Sequence, residues 1–454
     1  MSAHLFKAYD IRGLAPQELT PDIAYRVGQA MVLFTKAKAV VVGRDARAST
    51  PALFAALADG IMSQGADVID IGLVPTPMLY FAVGEYDLHD AGVMITASHN
   101  PAQYNGLKLC TGDAMPIGAE SGMSAIRDLA LSGPHPEKPR GTVVTTDVRA
   151  SYLDRLFSMV DARKLRGMKI AVDNANGMEG AMLAEVFTRL PGNEMRALYA
   201  DVDCTFPNHE ANPLKEETLD DLKGLIREMR ADVGFAFDGD GDRVGVVDDK
   251  GETLRGDQVM ALLAPRILAR HAGATVMYDI RSGMAVVEEI LRAGGTPVVS
   301  PVGHGLIKPR MRANGAVFAG ELAYHFYFKD FYGVDCTDYV MLLILELLAE
   351  TGKPLSELVA PLRRYFHSGE INSEVADKDA VLHRVRQAYA HEAAEITEID
   401  GIRMTFRNAN APEEDWWCNV RASNTEPLLR LTLEAKTRAN MESKREELLN
   451  LIRT

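Results

Sequence analysis

One pattern recurs along this chain and constrains its fold more than any other feature. An apolar run ends in a polar turn, a helical stretch follows, and a second apolar run closes the unit. The first copy is Ala39-Val40-Val41-Val42, the turn Gly43-Arg44-Asp45, a predicted helix from Pro51 to Gln64, and Asp67 to Ile71. The second is Lys169 to Val172, the turn Asp173-Asn174-Ala175-Asn176-Gly177, a predicted helix from Ala181 to Arg189, and Met195 to Tyr199. The third is Thr275 to Tyr278, the turn Asp279-Ile280-Arg281-Ser282-Gly283, a predicted helix from Ala285 to Arg292, and Pro297 to Val299. Each copy is a βαβ unit, which predicts mainly parallel sheets with right-handed crossovers. In each, a further apolar run leads into a polar loop: Val93 to Ile95, Val233 to Phe237, and Ala316 to Ala319. Open α/β sheets bind ligands beyond the carboxyl ends of their strands, so three such domains facing one cleft would bring these loops together.

At roughly 100–200 residues per domain, a chain of 454 residues has room for three or four. The Pro-rich stretch Ser132 to Arg140 reads as a linker. Beyond Arg363 the βαβ pattern stops; short strands are predicted at Gly401 to Arg407, Trp417 to Arg421 and Leu428 to Ala435, with a final helix from Ala439 to Ile452. The expected architecture is α/β: three related mixed-sheet α/β domains plus a smaller C-terminal α+β domain around one central cleft. The expected intervals are 1–140, 141–250, 251–363 and 364–454.

The net charge of -14 argues against a nucleic-acid or acidic-membrane binder, which needs basic surface. It leaves room for an anionic small substrate held by a local basic cluster. Cys110, Cys204, Cys336 and Cys418 are far apart and form no CxxC pair, as expected of reduced thiols in a cytoplasmic protein. The N-terminus has no signal-peptide h-region, and Val340 to Ala349 is too short an apolar run to span a membrane.

Chemistry concentrates in four loops. Thr96-Ala97-Ser98-His99-Asn100-Pro101 follows a buried-strand pattern. Ser98 there is a candidate nucleophile or phosphate carrier; a turn with an N-cap serine is the competing reading. In Asp238-Gly239-Asp240-Gly241-Asp242-Arg243, three carboxylates alternate with glycines. Carboxylates so close repel unless a cation sits among them, and hard oxygen ligands favour Mg²⁺ or Mn²⁺. An EF-hand fails: its sixth position needs Gly and here is Arg243, and its twelfth needs Glu and here is Asp249. Arg421-Ala422-Ser423-Asn424-Thr425 offers a guanidinium fork and short polar donors suited to phosphate; an ordinary turn is the alternative. Glu321 could accept from sugar hydroxyls and His325 could move a proton. Lys108 lies ten residues after Ser98, His304 lies in a Gly-flanked loop, and Tyr9 and Arg12 open the chain before Gly13.

In combination and in order, the loops Thr96 to Pro101, Asp238 to Arg243, Gly320 to His325 and Arg421 to Thr425 resemble those of the α-D-phosphohexomutases. Tyr9-Asp10-Ile11-Arg12-Gly13 and Phe206-Pro207-Asn208-His209 are similar to further family features. Leu322 and Ala323 look more like the bacterial phosphomannomutase/phosphoglucomutase branch than the phosphoglucosamine branch. The resemblance implies a four-domain enzyme interconverting hexose 1-phosphate and 6-phosphate, on mannose and also glucose. Ser98 would carry the phosphoryl group through a 1,6-bisphosphate intermediate. One Mg²⁺ per chain would sit on Asp238, Asp240 and Asp242, with the Ser98 phosphate completing the site. It further implies Arg12, Lys108 and His325 as proton movers. Arg243, Arg281 and His304 would steady phosphate or sugar, Tyr9 would pack near the sugar, and Glu321 would bind its hydroxyls. Arg421, Ser423, Asn424 and Thr425 would grip the unreactive phosphate. Glucose 1,6-bisphosphate or an equivalent would act as activator. The expected partners are small-molecule sugar phosphates, with no nucleic acid and no membrane, in a cytoplasmic monomer or small homo-oligomer.

The chain departs from the pattern at Ala323, where many relatives have Ser, and at Arg281, where Lys is common. Both bear on sugar preference rather than on the chemistry. The rival functions are a phosphoglucosamine mutase, a phosphatase admitting water to the phosphoserine, and a non-catalytic binding paralogue. Intact Ser98 and Asp loops argue against the last.

Overall fold

The first βαβ repeat builds a six-stranded sheet in the order Ile11–Leu14, Tyr104–Thr111, Ala91–Ile95, Ala39–Arg44, Asp67–Leu73, Val143–Thr145. The computed structural model describes residues 3–422 and 428–454. It divides into two compact units. One comprises Met1–Gly256, Gly303–Ala319 and Ala323–Ser356; the other comprises Asp257–Val302, Gly320–Leu322 and Glu357–Thr454.

In the first unit, the helix Pro21–Thr35 starts where the Thr20 side chain accepts from Ile23 N, and its C-cap is Lys36 at φ 58. It lies directly on the helix Thr50–Ser63, because Gly28 and Gly60 bring the two backbones together. A Cβ on Gly60 would come within 1.9 Å of Tyr25 O, and one on Gly28 within 2.4 Å of Leu57 O. The second repeat forms a sheet ordered Thr253–Leu254, Val244–Asp248, Val233–Phe237, Lys169–Asp173, Glu194–Leu198. The same unit holds the helix His304–Ala313, the hairpin Phe326–Phe328 and Val334–Asp335, and the buried helix Thr337–Thr351.

The sheets are more mixed than a run of βαβ units predicts. Tyr104–Thr111 returns antiparallel beside Ala91–Ile95, and Val244–Asp248 returns antiparallel beside Val233–Phe237. The first return strand escapes a pattern reading because it buries Asn105 and Lys108 among its apolar residues. The helix Thr76–Glu85 also lies outside the repeat. It is buried from Thr76 to Val83, so no amphipathic period marks it.

In the second unit, Thr275–Asp279 pairs parallel with Thr296–Ser300 through the helix Met284–Arg292. The C-terminal segment is an antiparallel sheet ordered Phe366–Glu374, Leu428–Ala435, Trp416–Ala422, Ile402–Phe406, Glu395–Thr397. The helices Lys378–Tyr389 and Arg438–Arg453 contribute Val385 and Leu448 to its core, with Met404, Cys418 and Leu431. Phe406 stacks on Trp416 at 3.9 Å between ring centroids. All four cysteines are free and buried. Among the described residues, no helix is long and apolar enough to cross a membrane.

Candidate active site

The strand Ala91–Ile95 delivers Ser98 to a turn that few L-residues adopt. Ser98 sits at φ 51 and is 2% exposed. A left-handed serine costs roughly 1–2 kcal/mol, and the surroundings hold it there. Arg47, on the turn after Ala39–Arg44, uses all five of its guanidinium donors. Nη2 donates to the carbonyls of Ser98 and Asn100, both at 2.7 Å. Nη1 donates to those of Pro101 at 2.8 Å and Tyr104 at 2.9 Å. Nε donates to Asp45 Oδ2 at 3.0 Å. From the other side, Gly239 presses on Ser98 O so closely that a Cβ there would stand 2.4 Å from it.

That contact brings the metal-loop candidate to the serine. Ser98 Oγ donates to Asp238 Oδ2 at 2.7 Å. Asp238, Asp240 and Asp242 each offer an oxygen, and the three oxygens lie within 4.8 Å of one another. Thr76 Oγ1 donates to Asp240 Oδ2 at 2.6 Å, and Thr337 Oγ1 donates to Gly241 O at 2.7 Å. Lys108 Nζ donates to Asp240 Oδ2 at 2.6 Å and Asp242 Oδ2 at 2.5 Å. Oδ1 of Asp240 and Oδ1 of Asp242 remain buried with no hydrogen-bond partner among the described residues. Orphaned carboxylate oxygens around one point suit a hard divalent cation. Burial, then the charges of Asp242 and Asp240, push Asp238 up to about 7. Burial alone would lower Lys108, but the charges of Asp240, Asp242 and Asp238 outweigh it and raise its pKa. Lys108 is therefore an ammonium, a proton donor rather than an acceptor.

Around this centre the same unit places the other predicted residues. Arg12 donates to Asn100 Oδ1 at 2.6 Å and pairs with Asp10. His325 Nδ1 faces two acceptors, Asp335 Oδ1 at 3.0 Å and Asp242 O at 3.1 Å, so it carries the hydrogen. Arg243 Nε donates to His325 Nε2 at 3.1 Å, which leaves the lone pair on that nitrogen. Burial would lower His325, yet the Asp242 charge and the Asp335 hydrogen bond outweigh it and its pKa is raised. His304 lies between Tyr9 at 5.4 Å and His325 at 5.8 Å, ring to ring. Burial, with the Lys308 charge, holds it well below the ordinary range, hence neutral.

The second unit carries Arg281, Glu321 and Arg421. Arg281 Nη2 pairs with Asp279 Oδ2 at 2.6 Å, and Leu322 N donates to that same oxygen at 2.9 Å, which ties the Glu321 loop to it. Ser423, Asn424 and Thr425 lie outside the described residues.

Motif reading passed over several residues. Arg47, Thr76 and Thr337 make these contacts from elements remote in sequence from the loops they hold, whereas Asp335, which also pairs with Lys308, is only ten residues from His325. His99 lies in the serine loop itself. Its Nδ1 is 3.1 Å from Ser98 Oγ, and burial, with the charges of Arg243 and Arg12, lowers its pKa to about 2. The only sequence signal for Arg47 is its place just after the polar turn of the first repeat.

Similarity to known proteins agrees with this geometry. The phosphoglucomutase/phosphomannomutase alpha/beta/alpha domains I, II and III match residues 3–134, 150–251 and 255–365. The C-terminal domain of that family matches residues 370–451. The chain is 39% identical to a phosphomannomutase of Salmonella montevideo, over 98% of each chain. It is likewise 39% identical to the phosphohexose mutases of Xanthomonas campestris pv. campestris strain B100, over 100% of each. A crystal structure of a phosphoglucomutase/phosphomannomutase family protein from Burkholderia thailandensis superposes with a TM-score of 0.90 at 33% identity, covering 100% of this chain and 97% of that one. A serine buried against three carboxylates, on a chain matched from end to end by these four domains, leads to one conclusion: this protein belongs to the phosphoglucomutase/phosphomannomutase family and is a hexose phosphate mutase.

Proposed function

We propose that the chain interconverts mannose 1-phosphate and mannose 6-phosphate, and acts on the glucose phosphates as well, with Ser98 as the phosphoryl carrier. The observation that carries this reading is Ser98 Oγ at 2.7 Å from Asp238 Oδ2, in a turn held by Arg47. The name phosphomannomutase, carried by relatives in Salmonella montevideo and Escherichia coli, favours mannose. Asp238, Asp240 and Asp242 would hold Mg²⁺, which when bound neutralises charge on the transferring phosphoryl group. In the forward half, the P–Oγ bond of phosphoserine breaks and a bond forms to the sugar's free hydroxyl oxygen. The hydroxyl proton passes to a base, for which His325 Nε2 is the candidate. The Lys108 ammonium is the candidate donor of the proton that Ser98 Oγ takes as it leaves. In the return half the bond from the other phosphate to the sugar oxygen breaks and a bond forms to Ser98 Oγ, which gives its proton back to Lys108, while the proton held on His325 passes to the freed sugar oxygen. Arg12 orders the loop through Asn100, while Arg243, Arg281, His304, Glu321 and Tyr9 orient the sugar phosphate. Arg421, Ser423, Asn424 and Thr425 grip the phosphate that does not react, and glucose 1,6-bisphosphate primes the serine.

Initial rates on mannose 1-phosphate and glucose 1-phosphate, with Mg²⁺ and a trace of glucose 1,6-bisphosphate, test the substrate reading. Comparable 6-phosphate production from both is expected. A preference above about 100-fold, or about 2.7 kcal/mol, would overturn dual activity. Ser98→Ala should abolish turnover, and substantial residual turnover would remove Ser98 as carrier.

A further inference from the structure

The second unit contains an arginine cluster already occupied by a carboxylate of the chain itself. Glu370, on the strand Phe366–Glu374, faces three guanidinium groups. Arg421 Nη2 is 3.4 Å from its Oε2, Arg430 Nη1 is 3.2 Å from its Oε1, and Arg281 Nη1 is 3.8 Å from its Oε2. These contacts are long for charge-assisted hydrogen bonds, which settle at about 2.7–2.9 Å. The structural pair beside them, Arg281 with Asp279, is 2.6 Å. Glu370 is also the accessible partner: its side chain is 27% exposed, against 8% for Arg421. Arg421 Nε is buried and has no hydrogen-bond partner among the described residues. A buried guanidinium with a donor unused among the described residues, held by a distant and exposed carboxylate, is poised to exchange that carboxylate for a better anion.

We propose that Glu370 is a placeholder for the substrate's unreactive phosphate, and that it restricts the Arg421 cluster to dianions. The inference rests on the reading of Arg421 as a phosphate ligand. With Glu370 in place the arginines are neither left unpaired nor free to collect monoanions. An incoming phosphate dianion brings twice the charge and three acceptor oxygens, so it displaces the carboxylate and engages the donors left long or unused. A monoanion brings no more charge than Glu370 and fails to displace it. Glu370 therefore weakens phosphate binding and sharpens its selectivity, without touching the reacting atoms.

Direct titration of the full chain with inorganic phosphate, and separately with nitrate, at pH 8 tests this in wild type, Glu370→Gln, Glu370→Ala and Arg421→Ala. The glutamine variant keeps the shape at a part-exposed position, and the alanine variant removes the acceptor altogether. Both are expected to bind phosphate about tenfold more tightly than wild type and to gain measurable nitrate binding, while Arg421→Ala loses phosphate affinity. If the Glu370 variants bind phosphate no better than wild type while Arg421→Ala loses affinity, Glu370 is no placeholder and this inference falls alone. If Arg421→Ala binds phosphate like wild type, the phosphate reading of the cluster falls, and this inference with it.

Discussion

Replacing Arg47 with lysine tests whether the serine's conformation is imposed by one buried cation. Arg47 spends five guanidinium donors on four loop carbonyls and Asp45. Lysine has three donors and no planar fork, so at least two of these bonds are lost. Hydrogen bonds to a charged group contribute about 1.5–3 kcal/mol each, giving a loss of about 3–6 kcal/mol. Relaxation of Ser98 from φ 51 returns about 1–2 kcal/mol of that. The net, about 2–4 kcal/mol, lies within a stability of about 5–15 kcal/mol, so the variant should fold, with a Tm lower by only roughly 2–4 °C in a chain of this length. The larger effect falls on rate. A displacement of about 1 Å in a reacting group costs about 100-fold, so kcat should fall about that far while KM for the sugar phosphate changes little. Thermal denaturation, steady-state kinetics and the phosphoserine content by intact mass measure all three. Arg44→Lys is the control. Arg44 ends the strand that leads into this turn but pairs with Asp70 at 2.6 Å rather than with the loop, and should keep near-normal kcat. A folded Arg47→Lys enzyme with wild-type kcat, or an equal kcat loss in Arg44→Lys, would refute the reasoning.

Two further predictions follow from the buried charges. Asp238, pushed up to about 7 by burial and by Asp242 and Asp240, binds a proton near neutrality in the metal-free enzyme. Mg²⁺ binding should therefore release roughly half a proton at pH 7, close to one at pH 5.5 and almost none at pH 9. Calorimetry in buffers of different ionisation enthalpy reads this, and pH-independent release would contradict it. Asp335 pairs with Lys308 and His325; burial alone would raise its pKa, but the Lys308 charge and the His325 hydrogen bond outweigh it and hold it at about 2. A depressed carboxyl stabilises above its unfolded pKa of about 3.8, and that contribution fades as pH falls toward 2. The raised His325 stabilises below about 6.5, and its share fades as pH rises through its folded pKa. Asp335→Asn loses the first and the Asp335 share of the second, while the Asp242 charge on His325 stays; it also leaves Lys308 buried without its counter-charge, so about 3–5 kcal/mol should be lost at pH 5 and less at pH 9. Denaturant titrations at the two pH values check it, and a deficit that grows with pH would be the wrong sign.

The sequence alone determined where chemistry is concentrated and what repeats. Strand–turn–helix periods are local, so Val233–Phe237 and the βαβ order are legible without neighbours. Alternating Asp and Gly after an apolar strand is likewise a local signal, because like charges that close need a cation. Tertiary structure alone decided what each site residue contacts. The antiparallel strand carrying Lys108 has polar residues inward because the site lies there, which erases the pattern that would reveal it. Arg47 meets the Ser98 loop from 51 residues away, and Arg243 meets His325 from 82 residues away. Nor does any motif show that Glu370 faces Arg421, since their 51-residue separation closes only when their strands join one sheet. Local pattern reports what a segment can do, and packing between distant segments sets the charge, the tautomer and the strain with which it does it.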